Sequence, residues 1–539
     1  MEKSLSEDSI KKEKFTEVTK QEELAQKVAD AHDNILSSKQ IIIVFAAMAT
    51  ALFLSFVDQT SITVALPHIA KDLGAEKTIS WAGTSSMISN TVFMVLFGRF
   101  SDIFSRKYTM IACMIILAFS DLACGLAQTP TQLYVFRGFC GIGNGGVTSL
   151  TMVIVSDIVT LEQRGKFQGI LGACVGLGNA IGPFIASGFI QHQTWRKMYF
   201  TLFAIILPAT LIIHFMVPYT KPVGNMIEKI KNVDYGGFLL SSIGITFVLI
   251  PVSGGGSSFE WSSALVIVML TIGAISVVCF IIYEMKFARL PLIPIKLFYT
   301  NISLSLLLSQ NLFFGICYYS AVYYYPYYFE VIRDYSVTLS SCYLLALVFP
   351  QSTISVIGGQ VISRTKHYWH VVLFGYSSWM IAMGLLNLWT VDVRKGVNVG
   401  TLILNGLGVG CIFQPTLVAA QAHSFKRDRA TIISTRNMLR SFGGAVGLAI
   451  SSTVIANTFL KNLKLTGSQH FNKEQLDYLK TQLYSRVDLS QYSLEQSEYL
   501  KSIYMDSLKK IFYIWMGCMA YCFVTNLFIR DKGLKPLDG

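Results

Sequence analysis

Aspartates and arginines lie inside long apolar runs of this chain, among them Asp58, Asp121, Arg137, Arg436 and Arg440. An ionised aspartate at the centre of a membrane helix costs roughly 2.5 to 3.5 kcal/mol, so such a group faces a cavity or a partner. At a rise of 1.5 Å per residue, Asp58 stands about 12 Å below the far end of its run, and Arg137 about 9 Å below the matching end of its own. Equal depths allow the two to pair, and a proton on Asp58 would remove the desolvation cost of its charge. A static structural pair is the competing reading. Asp121, about 20 Å along its run, reads as a hydrogen-bonded structural acid. Arg436 and Arg440 are four residues apart on one helical face. They would grip a carboxylate, snorkel to a surface or pair between helices.

The elements that hold these groups are apolar helices. Of the 539 residues 52% are hydrophobic and 14% charged, which excludes an ordinary soluble domain and points to an integral membrane protein. A span needs about 20 apolar residues, and roughly fourteen such stretches occur. Six lie between residues 41 and 217, two at about 235–254 and 263–283, and six between 302 and 529. One glycine and arginine pattern occurs in both sets of six at a constant spacing of 265 residues. Gly141, Gly143, Gly145, Arg164, Gly178 and Gly182 recur as Gly406, Gly408, Gly410, Arg429, Gly443 and Gly447. A duplicated helical unit explains this, and two like halves about a midplane site are how secondary transporters alternate access. The ten cysteines fall in apolar runs without metal-ligand spacing, and are read as packing residues.

A formal net charge of +12 would suggest nucleic acid in a soluble chain, but here the positive residues gather on one side of the membrane. Arg99, Arg106, Lys107, Arg164, Lys166, Lys221, Lys229, Lys231, Lys286, Arg364 and Lys366 follow even-numbered stretches, whereas the opposite loops hold few, among them Lys71, Lys77, Arg196 and Lys197. Both termini are therefore expected in the cytosol. Residues 1–40 are polar, without the apolar core of a signal peptide, and read as a disordered tail or a surface helix. On the far side, residues 460–509 separate the last two stretches, and Leu476, Leu479 and Leu483 there predict an amphipathic helix on the membrane or over the outer mouth.

Between the second and third stretches runs Gly98-Arg99-Phe100-Ser101-Asp102-Ile103-Phe104-Ser105-Arg106-Lys107. It resembles the signature loop of the major facilitator superfamily, with Ser105 in place of the usual second glycine, and a weaker echo runs from Gly359 to Arg364. Asp58-Gln59-Thr60, followed by Ala65-Leu66-Pro67, is similar to an element of the fungal fourteen-helix drug:proton antiporter branch. Arg137 with Gly141, Gly143 and Gly145 is similar to that branch's arginine-glycine motif, with Cys140 replacing a glutamine. Gly178 to Gly182-Pro183 resembles its antiporter motif, with Ala186-Ser187 replacing a glycine pair. The likeness covers about residues 41–529. It implies an all-α membrane protein of the major facilitator fold, with a tail 1–40, a six-helix bundle 41–217, a linker 218–300 with two extra transmembrane helices, a second bundle 301–529 and a cytosolic tail 530–539.

The same resemblance implies roles. Gly98, Asp102, Arg106 and Lys107 would latch one conformation, and Asp58 with Arg137 would line the central cavity and couple protons. Asn311, Tyr318, Tyr319, Tyr323, Tyr324 and Tyr325, with Gln351 and Gln414, are the candidate substrate wall. Such a wall suits flat or cationic amphiphiles, at roughly 0.5 to 2 kcal/mol per cation–π contact. An interfacial aromatic belt is the competing reading, above all for Tyr327 and Tyr328. The glycines of the fourth stretch follow no strand and precede no Lys-Ser/Thr pair, so a phosphate loop is excluded. No metal cluster, cofactor motif or catalytic triad is legible, and the expected energy source is an ion gradient. The expectation is a monomeric, proton-coupled exporter of lipophilic or cationic small molecules in the plasma or vacuolar membrane. A vacuolar basic amino acid transporter is the alternative. A non-transporting nutrient sensor is a third, which should have lost the intramembrane charges or gained a long signalling tail.

Overall fold

Capping residues start many of the helices. Ser37, Thr129 and Ser493 each accept the backbone N–H of a glutamine three residues on, and Gln40, Gln132 and Gln496 return the bond to close a capping box. Asp234, Ser263, Asn301 and Ser336 cap four more by single bonds. Gly74, with φ of 62°, supplies the left-handed residue that ends the first helix. The computed structural model describes residues 37–75, 78–219, 233–255, 259–288, 291–293, 295–425, 428–481 and 491–534. The tail before Ser37, Lys77, the linker lysines Lys221, Lys229 and Lys231, Leu483 and the last five residues lie outside them.

The first set of long helices is α1 (Ser38–Leu73), α2 (Ser80–Ile103), α3 (Arg106–Leu126), α4 (Pro130–Ile158), α5 (Leu161–His192) and α6 (Trp195–Met216). Next come α7 (Tyr235–Gly254) and α8 (Ala264–Lys286). The last set is α9 (Ile302–Tyr327), α10 (Val337–Thr365), α11 (Trp369–Leu385), α12 (Lys395–Phe413), α13 (Arg429–Thr466) and α14 (Leu494–Leu527). Twelve helices among the described residues are long and apolar enough to cross a membrane. The two not among them, α2 and α14, are long but less apolar, and pack within the same bundles. The 460–509 connection is mostly helical: α13 runs on to Thr466, α14 begins at Leu494, and a short helix, Lys473–Thr481, buries Leu479 and sets Leu476 against Gly467.

Packing repeats along with the sequence. In the first half α2 lies on α4, α1 on α5, and α3 on α4 and α6; in the second α10 lies on α12, α9 on α13, and α11 on α12 and α14. The repeated glycines sit at these crossings. A Cβ on Gly145 would stand 2.7 Å from the Asn90 carbonyl oxygen, and one on Gly410 2.6 Å from that of Gln351. Gly178 approaches Phe53 and Phe56 on α1 as Gly443 approaches Leu312 and Ile316 on α9. Helices this close admit no side chain between them.

The halves meet through α5 against α10 and α2 against α13, with α7 flanking α2 and α13. Near the end where the chain enters at Ser38 and leaves after Leu527, this seam is dense. Ser149 Oγ is 2.6 Å from Ser434 Oγ, Gln421 donates to Ser156 Oγ at 3.0 Å, and Ser363 donates to the Glu162 carbonyl at 2.6 Å. Thr91 and Ser441 hydroxyls meet at 2.8 Å further along. A Cβ on Gly165 would be 2.7 Å from the Gly359 oxygen, so α5 and α10 touch backbone to backbone.

Candidate functional site: an ion pair in one half, unpaired arginines in the other

In the first half α1, α3, α4 and α6 enclose a polar knot without exposed atoms of consequence. Arg137 donates from Nη1 to Asp58 Oδ1 at 2.7 Å, and Asn144 donates to Asp58 Oδ2 at 2.6 Å. Ser55 donates to Asn144 Oδ1 at 2.6 Å and so orients it. Asp58 is 0% exposed and Arg137 1%. Breaking such a buried pair by removing one partner costs about 3 to 5 kcal/mol. Asp121 comes into the same knot: one oxygen accepts the Cys140 thiol at 3.4 Å, and ligand atoms of Asp58, Asp121 and Cys140 lie within 4.8 Å of one another. Asn144 went unnoticed in the sequence, although it stands two helical turns after Arg137 on the same face of α4.

The latch residues gather at the seam. Arg106 lies 2.5 Å from Asp102 and 2.9 Å from Asp157, Arg99 lies 3.7 Å from Asp102, and Arg99 also donates to the Pro291 carbonyl at 2.8 Å. Gly98 is pressed against Ser434 of α13, so the turn touches the opposite half, while Lys107 is half-buried. Gly178, Gly182 and Pro183 lie on α5 where it crosses α1; a Cβ on Gly182 would stand 3.0 Å from the Val57 carbonyl oxygen, one residue from Asp58.

In the second half the helix of α12 breaks at Gln414, ahead of Pro415, and its continuation Pro415–Ala422 faces α13. Arg436 and Arg440 project from α13 with 0% and 1% exposure, so neither snorkels. Their guanidinium carbons lie 5.7 and 4.4 Å from the centre of the Phe413 ring. Arg436 donates to Thr416 and Asn437 at 3.0 Å each and to the Phe413 carbonyl. Arg440 Nε and Nη1 find no partner, and neither arginine forms an ion pair with a carboxylate among the described residues. Both polar atoms of the Gln414 side chain are likewise buried and unpartnered. Asn311 is tied to the Leu307 carbonyl at 2.7 Å and accepts from Thr416 at 3.4 Å, which makes it a support for the Arg436 network.

The aromatic run of α9 does not form one wall. Tyr318 points into the interface, where its hydroxyl meets Asn179 of α5 at 3.0 Å and Gln351 of α10 at 3.3 Å. Tyr319 packs beside Gly444. Tyr323 is 55% exposed and faces away, whereas Tyr324 and Tyr325 are buried, the latter bonded to Asn405. The belt reading fails at Tyr328, which is buried with its hydroxyl on the Thr390 carbonyl at 2.8 Å. At 100° per residue consecutive tyrosines must spread around the helix.

Residues 48–448 match the family model described as Major Facilitator Superfamily. The chain is 44% identical over 508 residues to "Citrate exporter 1" of Yarrowia lipolytica, covering 94% of this chain and 75% of that one. It is 29% identical to "Vacuolar membrane amino acid uptake transporter fnx2" of Schizosaccharomyces pombe, covering 94% and 87%. Among solved structures, the human organic anion transporter MFSD10 superposes with a TM-score of 0.61 at 13% identity, covering 90% of this chain and 99% of that one, a likeness of fold alone. A family match over most of the length, close relatives of the same kind and a duplicated six-helix architecture agree: the chain is a multi-pass membrane transporter of the major facilitator superfamily.

Proposed function

We propose that this protein is a proton-coupled secondary transporter that exports a small polycarboxylate anion, citrate or a close analogue, through fourteen membrane spans with both chain ends cytosolic. The carrying observation is the Arg436 and Arg440 pair, two buried guanidiniums without a carboxylate partner among the described residues. Burying an ion costs several kcal/mol unless a counter-charge meets it, and a multiply charged anion supplies that charge with the bidentate geometry arginine favours. Gln414, with its unused donor and acceptor, and Tyr318, held at the meeting of both halves, complete a site that an anion would bridge. The likeness to a citrate exporter points the same way.

This reading replaces the expectation of lipophilic or cationic cargo. That expectation rested on a tyrosine wall and an acid open to a cation, but the tyrosines diverge, Asp58 is already paired, and two arginines would repel a positive substrate. The same repulsion counts against basic amino acids. With the end that holds Ser38 and Leu527 taken as cytosolic, its dense contact corresponds to a state closed toward the cytosol, and protonation of the Asp58 region from outside would precede the return step. The test is transport by the purified protein in proteoliposomes under an imposed pH gradient, with labelled citrate, labelled lysine and a cationic dye offered in parallel. Citrate accumulation that collapses with a protonophore is expected; dye or lysine movement without citrate movement would overturn the proposal.

A further inference from the structure

The first-half knot holds two carboxyls and one guanidinium, and the second acid has a distinct environment. Asp58 uses both oxygens, one on Arg137 and one on Asn144. Among the described residues Asp121 Oδ1 accepts only the weak Cys140 thiol donor, and Oδ2 has no partner although fully buried. Arg137 Nε and the Tyr199 hydroxyl are also buried and unpartnered. The charged and titratable groups around Asp121 are Asp58 from α1, Arg137, Cys140 and its neighbour Cys124, and Tyr199 from α6. Two ionised carboxyls would leave one uncompensated negative charge in a dry site, and a single proton removes it. A divalent cation is a poor alternative, because the Arg137 guanidinium 2.7 Å from Asp58 already supplies that carboxylate with a positive partner.

We propose that Asp121 is a second proton-binding carboxyl, sharing one exchangeable proton with Asp58. The inference rests on the proton-coupled reading above. In the state described, Asp58 is the carboxylate paired with Arg137, and Asp121 is the carboxylic acid. Transfer breaks the Asp121 O–H bond and forms one on an Asp58 oxygen, so Asp121 becomes the carboxylate, total charge is unchanged and Arg137 stays a cation. Loading from water and release to water each move that single proton, with hydronium as donor and water as acceptor.

The test compares full-length wild type with Asp121→Asn and Asp121→Glu in proteoliposomes. Citrate–citrate exchange moves no net proton and reads the substrate site; pH-driven accumulation and the reversal potential read the protons moved per citrate. Asp121→Asn should lose at least 90% of pH-driven accumulation with exchange reduced less than tenfold, lower the proton-to-citrate ratio by about one and flatten the pH profile, and Asp121→Glu should restore the coupling. An unchanged ratio and profile in Asp121→Asn would overturn the proposal. Infrared spectra of the purified protein give a readout independent of citrate. A protonated-carboxyl band should be present in wild type and shift in Cys140→Ser, whose hydroxyl replaces the thiol at Asp121; its absence from wild type, or indifference to the Cys140 change, overturns the assignment even if citrate is not the cargo.

Discussion

The two halves of this transporter share a fold and differ in charge. At the repeat spacing Asp58 and Arg137 correspond to Tyr323 and Leu402, and Asp121 to Leu386, while Arg436 and Arg440 correspond to Leu171 and Val175. Leu171, Val175, Leu386 and Leu402 are all fully buried. At four of these five positions one half keeps a buried apolar residue where the other keeps an ion; the exception is Tyr323, opposite Asp58, which is 55% exposed. One half contains an acid-rich knot with an arginine of its own, and the other a base-rich site that has no carboxylate counter-ion among the described residues. Duplication accounts for the shared helix crossings, and on the proposed function divergence assigned the proton to one copy and the anion to the other.

The largest effect that would break this division is a pair of substitutions in opposite halves. Arg440→Gln should weaken citrate binding at least 30-fold, since removing a buried charge from an ionic contact costs roughly 2 kcal/mol or more, while the pH dependence of the residual transport persists. Asp58→Asn should abolish pH-driven accumulation and spare citrate exchange far more. Substrate affinity by counterflow and accumulation under a pH gradient separate the two, and a loss of affinity in Asp58→Asn equal to that in Arg440→Gln would erase the distinction.

A smaller effect sharpens the shared part of the comparison. Gly145→Ala and Gly410→Ala each put a methyl within 2.7 Å of a backbone oxygen on the partner helix, an overpacking that costs about 1 to 3 kcal/mol. Melting in detergent should fall by similar amounts for both; a drop confined to one half would mean the crossings are not equivalent.

The smallest effect concerns a feature of the second half alone. His423 is buried with its Nε2 2.7 Å from the Tyr368 hydroxyl, and burial, with Lys532 nearby, lowers its pKa from 6.5 to about 4. The unfolded chain therefore binds the extra proton between those values, so stability contributed by neutral His423 is full above pH 6.5 and declines as pH falls toward 4. His423→Gln should show a shallower loss of melting temperature across that window than wild type does.

The duplicated framework was legible in the sequence because close helix crossings tolerate little but glycine, and the 265-residue spacing recorded them. Depth along a helix was enough to match Asp58 with Arg137, since rise per residue is constant. Rotation was not legible. Asp121 could reach the knot only because α3 turns that face toward α4, and nothing in its own run distinguishes inward from outward. The same limit hid the divergence of Tyr318, Tyr323 and Tyr325 around α9. Arg436 and Arg440 were legible as a pair, but whether they surface or stay buried depends on neighbours that the α12 break at Gln414 brings over them. The sequence reads as fourteen spans, two of them on α2 and α14, whereas twelve helices among the described residues are long and apolar enough to cross a membrane, and those two are not among them.

Apart from the exposed Lys366–Glu162 ion pair, the seam that joins the halves is built largely of alcohols and amides, as in the contacts of Ser149 with Ser434, Thr91 with Ser441, and Gln421 with Ser156. A neutral hydrogen bond of this kind is worth about 1 kcal/mol net once water competes for it, and parting it strands no ion. The closure therefore works like a zipper with shallow teeth: water can unpick it one tooth at a time, and salt acts on it through the exposed Lys366–Glu162 pair.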